Sequence, residues 1–496
     1  MRRLLALLFS LVANTALAQN VQCPTRPAGD NTNACASTAF VQQNPVVTIA
    51  AFGGKCDNIV DNTTPLNNAL ASLTGTGGNV LFPPGKCRFN SGITFNYPAG
   101  IFSVGLFGSG QDATILTWPN ASGGITFNYN GTASSSHIRD LSFTTGTTTG
   151  GNAINLQLSA SIMAPFVTAD SDIYRVTIRG DDGYAVTDYW TNCVNIGNVS
   201  NVQIESLSCQ GPATPNGNGV SLIGLPGMST FGVVYDIGKS TFNNLAQGVV
   251  YGSFIQGVTI DQTNFTSNNG TSSGVVIPAA QSGVLDQLSI TNSQFNVPTN
   301  AVSCGTAIAH LQFSNNLIFS RANSTGLNCG GAGFGASNYT ITGSVFAGQS
   351  VTGTTAVSIN NSFGTISANV ISLYGTGLSF GAAANNATVS GNTFTSNTAA
   401  ITNASVNQNI FIVNNVGYNP VGTSTGTYAP ATTATYTAGS SPETDYLTGG
   451  AVTAVKIPNN AGTTICTTTP CTLDLGPFET FSVTYTGAPT QTKSIH

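Results

Sequence analysis

Charge is what this sequence has least of. Only 6% of its 496 residues are Asp, Glu, Lys or Arg, about a quarter of the share usual in globular proteins. The 13 Lys and Arg form no basic cluster and the net charge is −5, which argues against a nucleic-acid partner. No apolar run approaches the 18 residues that mark a membrane-spanning helix. With three His and no two Cys at CxxC spacing, a structural metal centre lacks its ligand set. There is no GxSxG, no P-loop and no GxGxxG following a strand, so no cofactor is expected. A 3.6-residue apolar period is missing from the repeats described below, which excludes a helical solenoid. In place of these, 41% of residues are hydrophobic, 57 are Gly, and Ser, Thr and Asn abound. That apolar content, regularly spaced, excludes a disordered low-complexity chain.

The N-terminus reads as an export signal. Arg2 and Arg3 precede the apolar run Leu4 to Val12, and Ala16-Leu17-Ala18 forms an A-x-A cleavage site. The mature chain is therefore expected to begin after Ala18 and to be secreted or held at the cell surface or in the periplasm, with no membrane anchor after cleavage. Ten Cys are consistent with that compartment. Pairing of sequence neighbours is the simplest framework: Cys23 with Cys35, Cys56 with Cys87, Cys193 with Cys209, Cys304 with Cys329, Cys466 with Cys471. Sequence alone leaves that connectivity open.

The dominant signal is an internal repeat. HIRDLSF at His137–Phe143 returns as DIYRVTI, QIESLSC, DIGKSTF, TIDQTNF, SITNSQF, TITGSVF, TISANVI and TVSGNTF. Their anchors are Ile138, Ile173, Ile204, Ile237, Ile260, Ile290, Ile341, Ile366 and Val389, joined by Phe313 and Ile412 and, upstream, by Leu81 and Leu106. Short β-rich runs that return every 23 to 35 residues cannot bury their own apolar face, but stacked coils can. Strand alternation puts the anchors inward and their two neighbours outward. Asn and Gly after the anchor suit a left-handed turn. The expected fold is all-β, a right-handed parallel β-helix over residues 46–420. Propeller blades need more residues and four strands each.

An open end of such a helix exposes strand edges and core. Thr64-Pro65 followed by Leu66, Ala69, Leu70 and Leu73 is expected to be a short capping helix, with Thr64 as N-cap and Pro65 at the first helical position. A Cys56–Cys87 bond would pin it. AFGGKCDNIVDNTTPLNNALASL followed by GGNVLFPPGKC resembles the N-terminal signature of the pectate-lyase-like superfamily, in its rhamnogalacturonase/epimerase-like branch. The matching residues are Phe52, Gly53, Asp57, Asp61, Thr63 or Thr64, Ala69, Gly77, Gly78, Val80, Phe82, Pro83, Pro84 and Gly85. Cys56 and Cys87 depart from the pattern, as does Asn62 for the second Asp of a mainly structural pair. The resemblance implies a polysaccharide partner.

RPAGDNTNACASTAFV, in the segment 19–45, resembles a linker of phage tail fibres and tailspikes. The end, with TGGAVTAVKI and LGPFETFSVTYTGAP, resembles a small β module of such proteins. These likenesses imply a shared architecture and, with it, a homotrimer as one assembly. Residues 421–496 read as a Gly/Ser/Thr linker and a small sandwich-like β module.

Because charge is scarce, its placement is informative. The outward positions before the anchors give His137, Asp172, Gln203 and Asp236 in successive coils. Those after the anchors give Arg139, Tyr174, Glu205 and Gly238, with Asp261 one coil on. Asp172 and Asp236 would lie two coils apart, about 9.6 Å at the coil spacing, with Glu205 between. Carboxylates about 6.5–9.5 Å apart suit an inverting glycosidase, and crowding would raise one pKa. Asp172, Glu205 and Asp236 are thus the candidate catalytic residues. Tyr174 is a candidate sugar-stacking ring, and Arg139 or His137 would hold an acidic sugar. Asp261 completes the candidate binding set.

The same face serves equally in a non-catalytic carbohydrate-binding or adhesion protein, or as a subunit contact. GDDG at Gly180–Gly183 is a second candidate, although the Gly-His-Gly and Arg-x-Lys motifs of polygalacturonases are missing. So are the vWiDH and RxPxxR patterns of calcium-dependent pectate lyases. His310, beside an apolar run, reads as a packed or surface residue, and the RGD at Arg179–Asp181 as coincidence.

Overall fold

A computed structural model describes residues 45–495, apart from 99–102, 120–122, 132, 159–168, 225–231, 269, 283–284, 307, 322–323, 330–337, 361, 406–408, 419–421, 440–441 and 459–460. The expected export signal, the 19–44 segment and the Cys23–Cys35 pair lie outside the described residues.

Short strands follow one another with Gly, Asn or Ser between them, and each pairs in parallel with the strand one coil away. Thirty-four strands join in this way into one ladder, wound as a right-handed parallel β-helix. Its first wall stacks fourteen rungs. Val47, Val80, Leu106, Ile138, Ile173, Ile204, Ile237, Ile260, Ile290, Phe313, Ile341, Ile366, Val389 and Ile412 are register partners in sequence. Twelve of the thirteen anchors read from the sequence belong to this column. The exception is Leu81. Val80 carries the column and is fully buried, whereas Leu81 pairs with Phe107 on the outer side. Two adjacent apolar residues give no parity, so the wrong one was chosen.

A second wall stacks Leu116, Phe143, Ile178, Cys209, Phe242, Phe265 and Phe295. Phe265 and Phe295 lie with ring centroids 4.7 Å apart and planes 4° apart. A third wall carries Ile125, Ile154, Val194, Val220, Val249 and Val275 in register. All of these side chains are buried in one continuous core, except Val47, which is partly buried against it. Each contributes roughly 1.5–3 kcal/mol by leaving water.

The corner between the first and second walls has a fixed recipe. The residue two after each anchor adopts positive φ, from Asp140, Arg175, Ser206 and Lys239 through Gln262, Asn292 and Asn315 to Asn414. The next residue points inward. In later coils it is a buried Ser, Thr or Asn. Asn369 Nδ2 donates to Asn392 Oδ1 and Asn392 Nδ2 to Asn415 Oδ1, both at 2.9 Å. Backbone amides of Asn369 and Asn392 donate to the same oxygens. This ladder satisfies polar groups that the turn would otherwise strand in the core.

The N-terminal opening is closed by helix α1 (Thr63–Ser72), which buries Leu66, Ala69 and Leu70. Its start differs from the expectation. The N-cap is Asn62, not Thr64, and Pro65 falls at the third helical position. Asn62 makes no capping bond from its side chain. Fully buried, it accepts from Lys55 N and donates to the carbonyls of Lys55, Val60 and Arg88. Asp61 Oδ1 instead receives Thr63 N and Oγ1. Two glycines of GGNVLFPPG are forced by chain crossing. Gly78 has φ +128° and a Cβ there would stand 2.1 Å from Pro45 O. Gly85 has φ +122° and its Cβ would meet Cys56 O at 2.2 Å.

Four disulfides join Cys56–Cys87, Cys193–Cys209, Cys304–Cys329 and Cys466–Cys471. The last lies in a C-terminal module of two four-stranded antiparallel sheets. This module has its own core around Tyr428, Leu447, Val455, Phe481 and Val483.

Candidate functional site on the first wall

The register of the first wall sets the outward residues in columns. Before the anchors run His137, Asp172, Gln203, Asp236 and Thr259; after them run Arg139, Tyr174, Glu205, Gly238 and Asp261. All seven candidate residues therefore share one wall, on adjacent coils. GDDG stands elsewhere. Asp181 is bound by Lys86 at 2.6 Å and by the hydroxyls of Thr117 and Thr144, which belong to the second wall. Burial raises its pKa, but the ammonium and hydroxyl donors outweigh that and hold it low. Asp182 accepts the backbone N–H of Thr187 and of Asp188. Arg179 pairs with Asp112 at 3.1 Å.

Asp172 is the most tightly held of the three proposed catalytic carboxylates. Arg139 grips it with Nε to Oδ1 at 2.6 Å and Nη2 to Oδ2 at 2.7 Å. His137 Nδ1 lies 2.5 Å from Oδ2. Burial pushes the Asp172 pKa up, but hydrogen bonds and charge from Arg139 and His137 more than reverse this and leave it below the ordinary value. The expected rise through crowding is not what this carboxyl shows, because a guanidinium stands closer to it than any carboxylate on its wall. Glu205 pairs with Lys239 at 2.7 Å. Asp261 accepts from Thr291 Oγ1, Asn292 Nδ2 and Gln262 Nε2 at 2.6 to 2.9 Å, and the first of these does most to lower its pKa. Asp236 is exposed and, among the described residues, no hydrogen bond or ion pair reaches its carboxyl. The Tyr174 ring is covered on one side by Arg175, 4.9 Å from the centroid.

A shallow trough follows the wall past these residues. Near Phe107, His137 and Arg139 it encloses about 250 Å³. Between Asp172, Tyr174 and Glu205 it encloses about 340 Å³. Beyond it on the same wall, a hollow of about 590 Å³ lies beside Asp236, lined by Thr259, Gln287, Ser289, Gln312 and Thr340. From Asn79 to Thr340 trough and hollow together span nine coil spacings, about 43 Å.

His310 also borders this hollow. It is a surface residue, as expected, but its Nδ1 lies 2.5 Å from Asp286 Oδ1, a pairing the sequence did not indicate. The pair sits three and four residues before its anchors, outside the two columns, and for that reason went unseen. The Arg175–Asp140 pair at 2.6 Å and Lys239 were missed likewise, as residues of the left-handed corner. Lys239 follows Gly238, the register partner of Glu205, so the coil register would have set it within a side chain's reach.

No family profile matches the chain, nor does any curated protein. Solved structures similar in winding include tailspike protein 3 of bacteriophage CBA120, 13% identical, with a TM-score of 0.49 over 86% of this chain and 72% of that one. A thermostable GH87 α-1,3-glucanase of Streptomyces thermodiastaticus is 13% identical, with a TM-score of 0.44 over 78% and 69%. The surface adhesin PfbA of Streptococcus pneumoniae is 11% identical, with a TM-score of 0.43 over 72% and 93%. The winding, the capping helix and the GGNVLFPPG entry are all observed in the chain itself. On them the chain is a right-handed parallel β-helix.

Proposed function

We propose that this is an exported polysaccharide-active β-helix protein that hydrolyses glycosidic bonds along its first wall. One observation carries the reading: Asp236, with no partner of its own, stands beside the hollow on this wall, one coil from Glu205. One coil spacing and two residues along the strand separate their Cα atoms by about 8 Å. That suits carboxyl groups spaced for an inverting glycosidase, which leaves room for a water between acid and base.

Their environments divide the roles. Glu205, whose carboxylate Lys239 holds at 2.7 Å, is assigned as the base that activates water. Asp236, exposed and without a partner beside the hollow, is assigned as the acid. Asp172 stays ionised and offers a fixed negative charge to an oxocarbenium-like transition state. His137, Arg139, Tyr174 and Asp261 form the floor along which the chain lies. Four disulfides accord with an oxidising compartment.

The test is release of new reducing ends from a panel of polysaccharides. Glu205→Gln and Asp236→Asn should each cut turnover by about 10²–10⁴-fold with binding retained, and the product anomer should be inverted. Activity that survives the double variant would remove these assignments. The partnered state of Asp172, Glu205 and Asp261 favours a second reading, a sugar-binding or adhesion face without turnover. Retention of polysaccharide with no bond cleaved would select it.

A further inference from the structure

The charges on the first wall bear on which class of polysaccharide it takes. Seven carboxylates stand on it or at its edges: Asp140, Asp170, Asp172, Glu205, Asp236, Asp261 and Asp286. Facing them are three fixed cations, Arg139, Arg175 and Lys239, and the two imidazoles of His137 and His310. Every one of these basic groups is held by a carboxylate of the wall. Arg139 and His137 share Asp172, Arg175 holds Asp140 through Nε and Nη2, Lys239 holds Glu205, and His310 holds Asp286. The wall is therefore negative even with both imidazoles protonated. Three of the carboxylates hold no cation: Asp236, which has no partner, and Asp170 and Asp261, whose donors are all neutral.

A uronate or sulfate laid along this trough would meet no free guanidinium or ammonium group. It would also stand against Asp236 and Asp261, which no cation compensates, and at such short range like charges repel strongly. What the hollow offers instead is hydroxyl and amide: Thr259, Ser289 and Thr340, with Gln287, Gln312 and Asn338. These groups both donate and accept, as sugar hydroxyls do. Resting on the reading of the wall as a polysaccharide trough, we infer that its substrate is an uncharged glycan and that the carboxylate-held cations exclude acidic ones.

The experiment is affinity electrophoresis of the full chain in gels containing a neutral polymer (a β-glucan, an α-glucan or a galactomannan) or an acidic one (polygalacturonate or alginate), at low and at raised salt. Reducing ends are assayed on the same polymers. The expected result is that at least one neutral polymer retards the chain with little salt dependence. The acidic polymers should bind more weakly by about tenfold or more, the factor that about 1.4 kcal/mol of repulsion produces.

Asp140→Asn gives a second arm. Asparagine tolerates the left-handed backbone at this corner, where φ is +59°, so the fold is retained while Arg175 loses its carboxylate. This variant should gain retardation by polygalacturonate of several-fold, lost at raised salt. Stronger retardation by acidic than by neutral polymers in the unaltered chain would overturn the inference, as would an Asp140→Asn variant no different from it. Failure of every polymer of both classes to bind or to be cleaved is a different outcome, because it removes the polysaccharide reading itself.

Discussion

Asp172 shows how much a single carboxylate on this wall can carry. Two hydrogen bonds from Arg139 and a third contact from His137 fix it with 16% of its side chain exposed. Asp172→Asn should cost about 2 kcal/mol of stability, the usual worth of hydrogen bonds to a charged group, read as a lowered urea midpoint. Because its pKa is depressed in the folded chain, its contribution is present above the unfolded value of about 3.9. It is lost as pH falls through the lower folded value. The pH dependence of unfolding in acid should therefore be shallower in Asp172→Asn. The sequence put His137, Arg139 and Asp172 on one wall because alternation and the repeat fix column and coil. It left the three in separate roles, because which neighbour a flexible guanidinium grips depends on side-chain rotamers.

Among elements, the corner shows what stabilises the winding. Asn392 is fully buried. Its amide donates to Ile366 O and Asn415 Oδ1, and its oxygen accepts from the backbone and side chain of Asn369. Asn392→Leu would leave several of these groups unpaired in the core, at about 1–3 kcal/mol each. The expected outcome is a thermal midpoint lowered by several degrees, with a loss larger than for the exposed Asn386→Leu. The stacking was legible from Asn and Gly recurring after the later anchors. Helix α1 was legible too, from Leu66, Ala69 and Leu70, but not where it begins. The sequence signal for an N-cap is local, whereas Asn62 is fixed by a tertiary knot with residues 55, 60 and 88. The second and third walls were not read strand by strand, since their runs lack a shared motif around one anchor.

At the scale of the molecule, the described residues form two separate apolar cores, and the smaller has an acid inside. Asp445 is fully buried. Burial and the neighbouring negative charge of Glu443 push its pKa up to about 6, against weaker pulls from Gln491 and Lys493. A raised folded value means stability that is complete below about pH 3.9 and fades as pH rises through about 6. The C-terminal module should therefore melt at a higher temperature at pH 4.5 than at pH 7.5. Asp445→Asn should flatten that difference and raise the midpoint at pH 7.5, measured by calorimetry of the full chain. Neither the burial of Asp445 nor its effect was visible beforehand, because ETDYLT alternates as any edge strand does.

The coil-on-coil winding has a mechanical corollary. Each turn of 23 to 35 residues is bonded chiefly to the turn above and the turn below. Tension between the two ends would thus detach turns singly, from an extremity inward. Outside the turns locked by disulfides, each release would lengthen the tether by about 8–12 nm at full extension, so a stretched molecule would yield a sawtooth of small steps rather than one abrupt rupture.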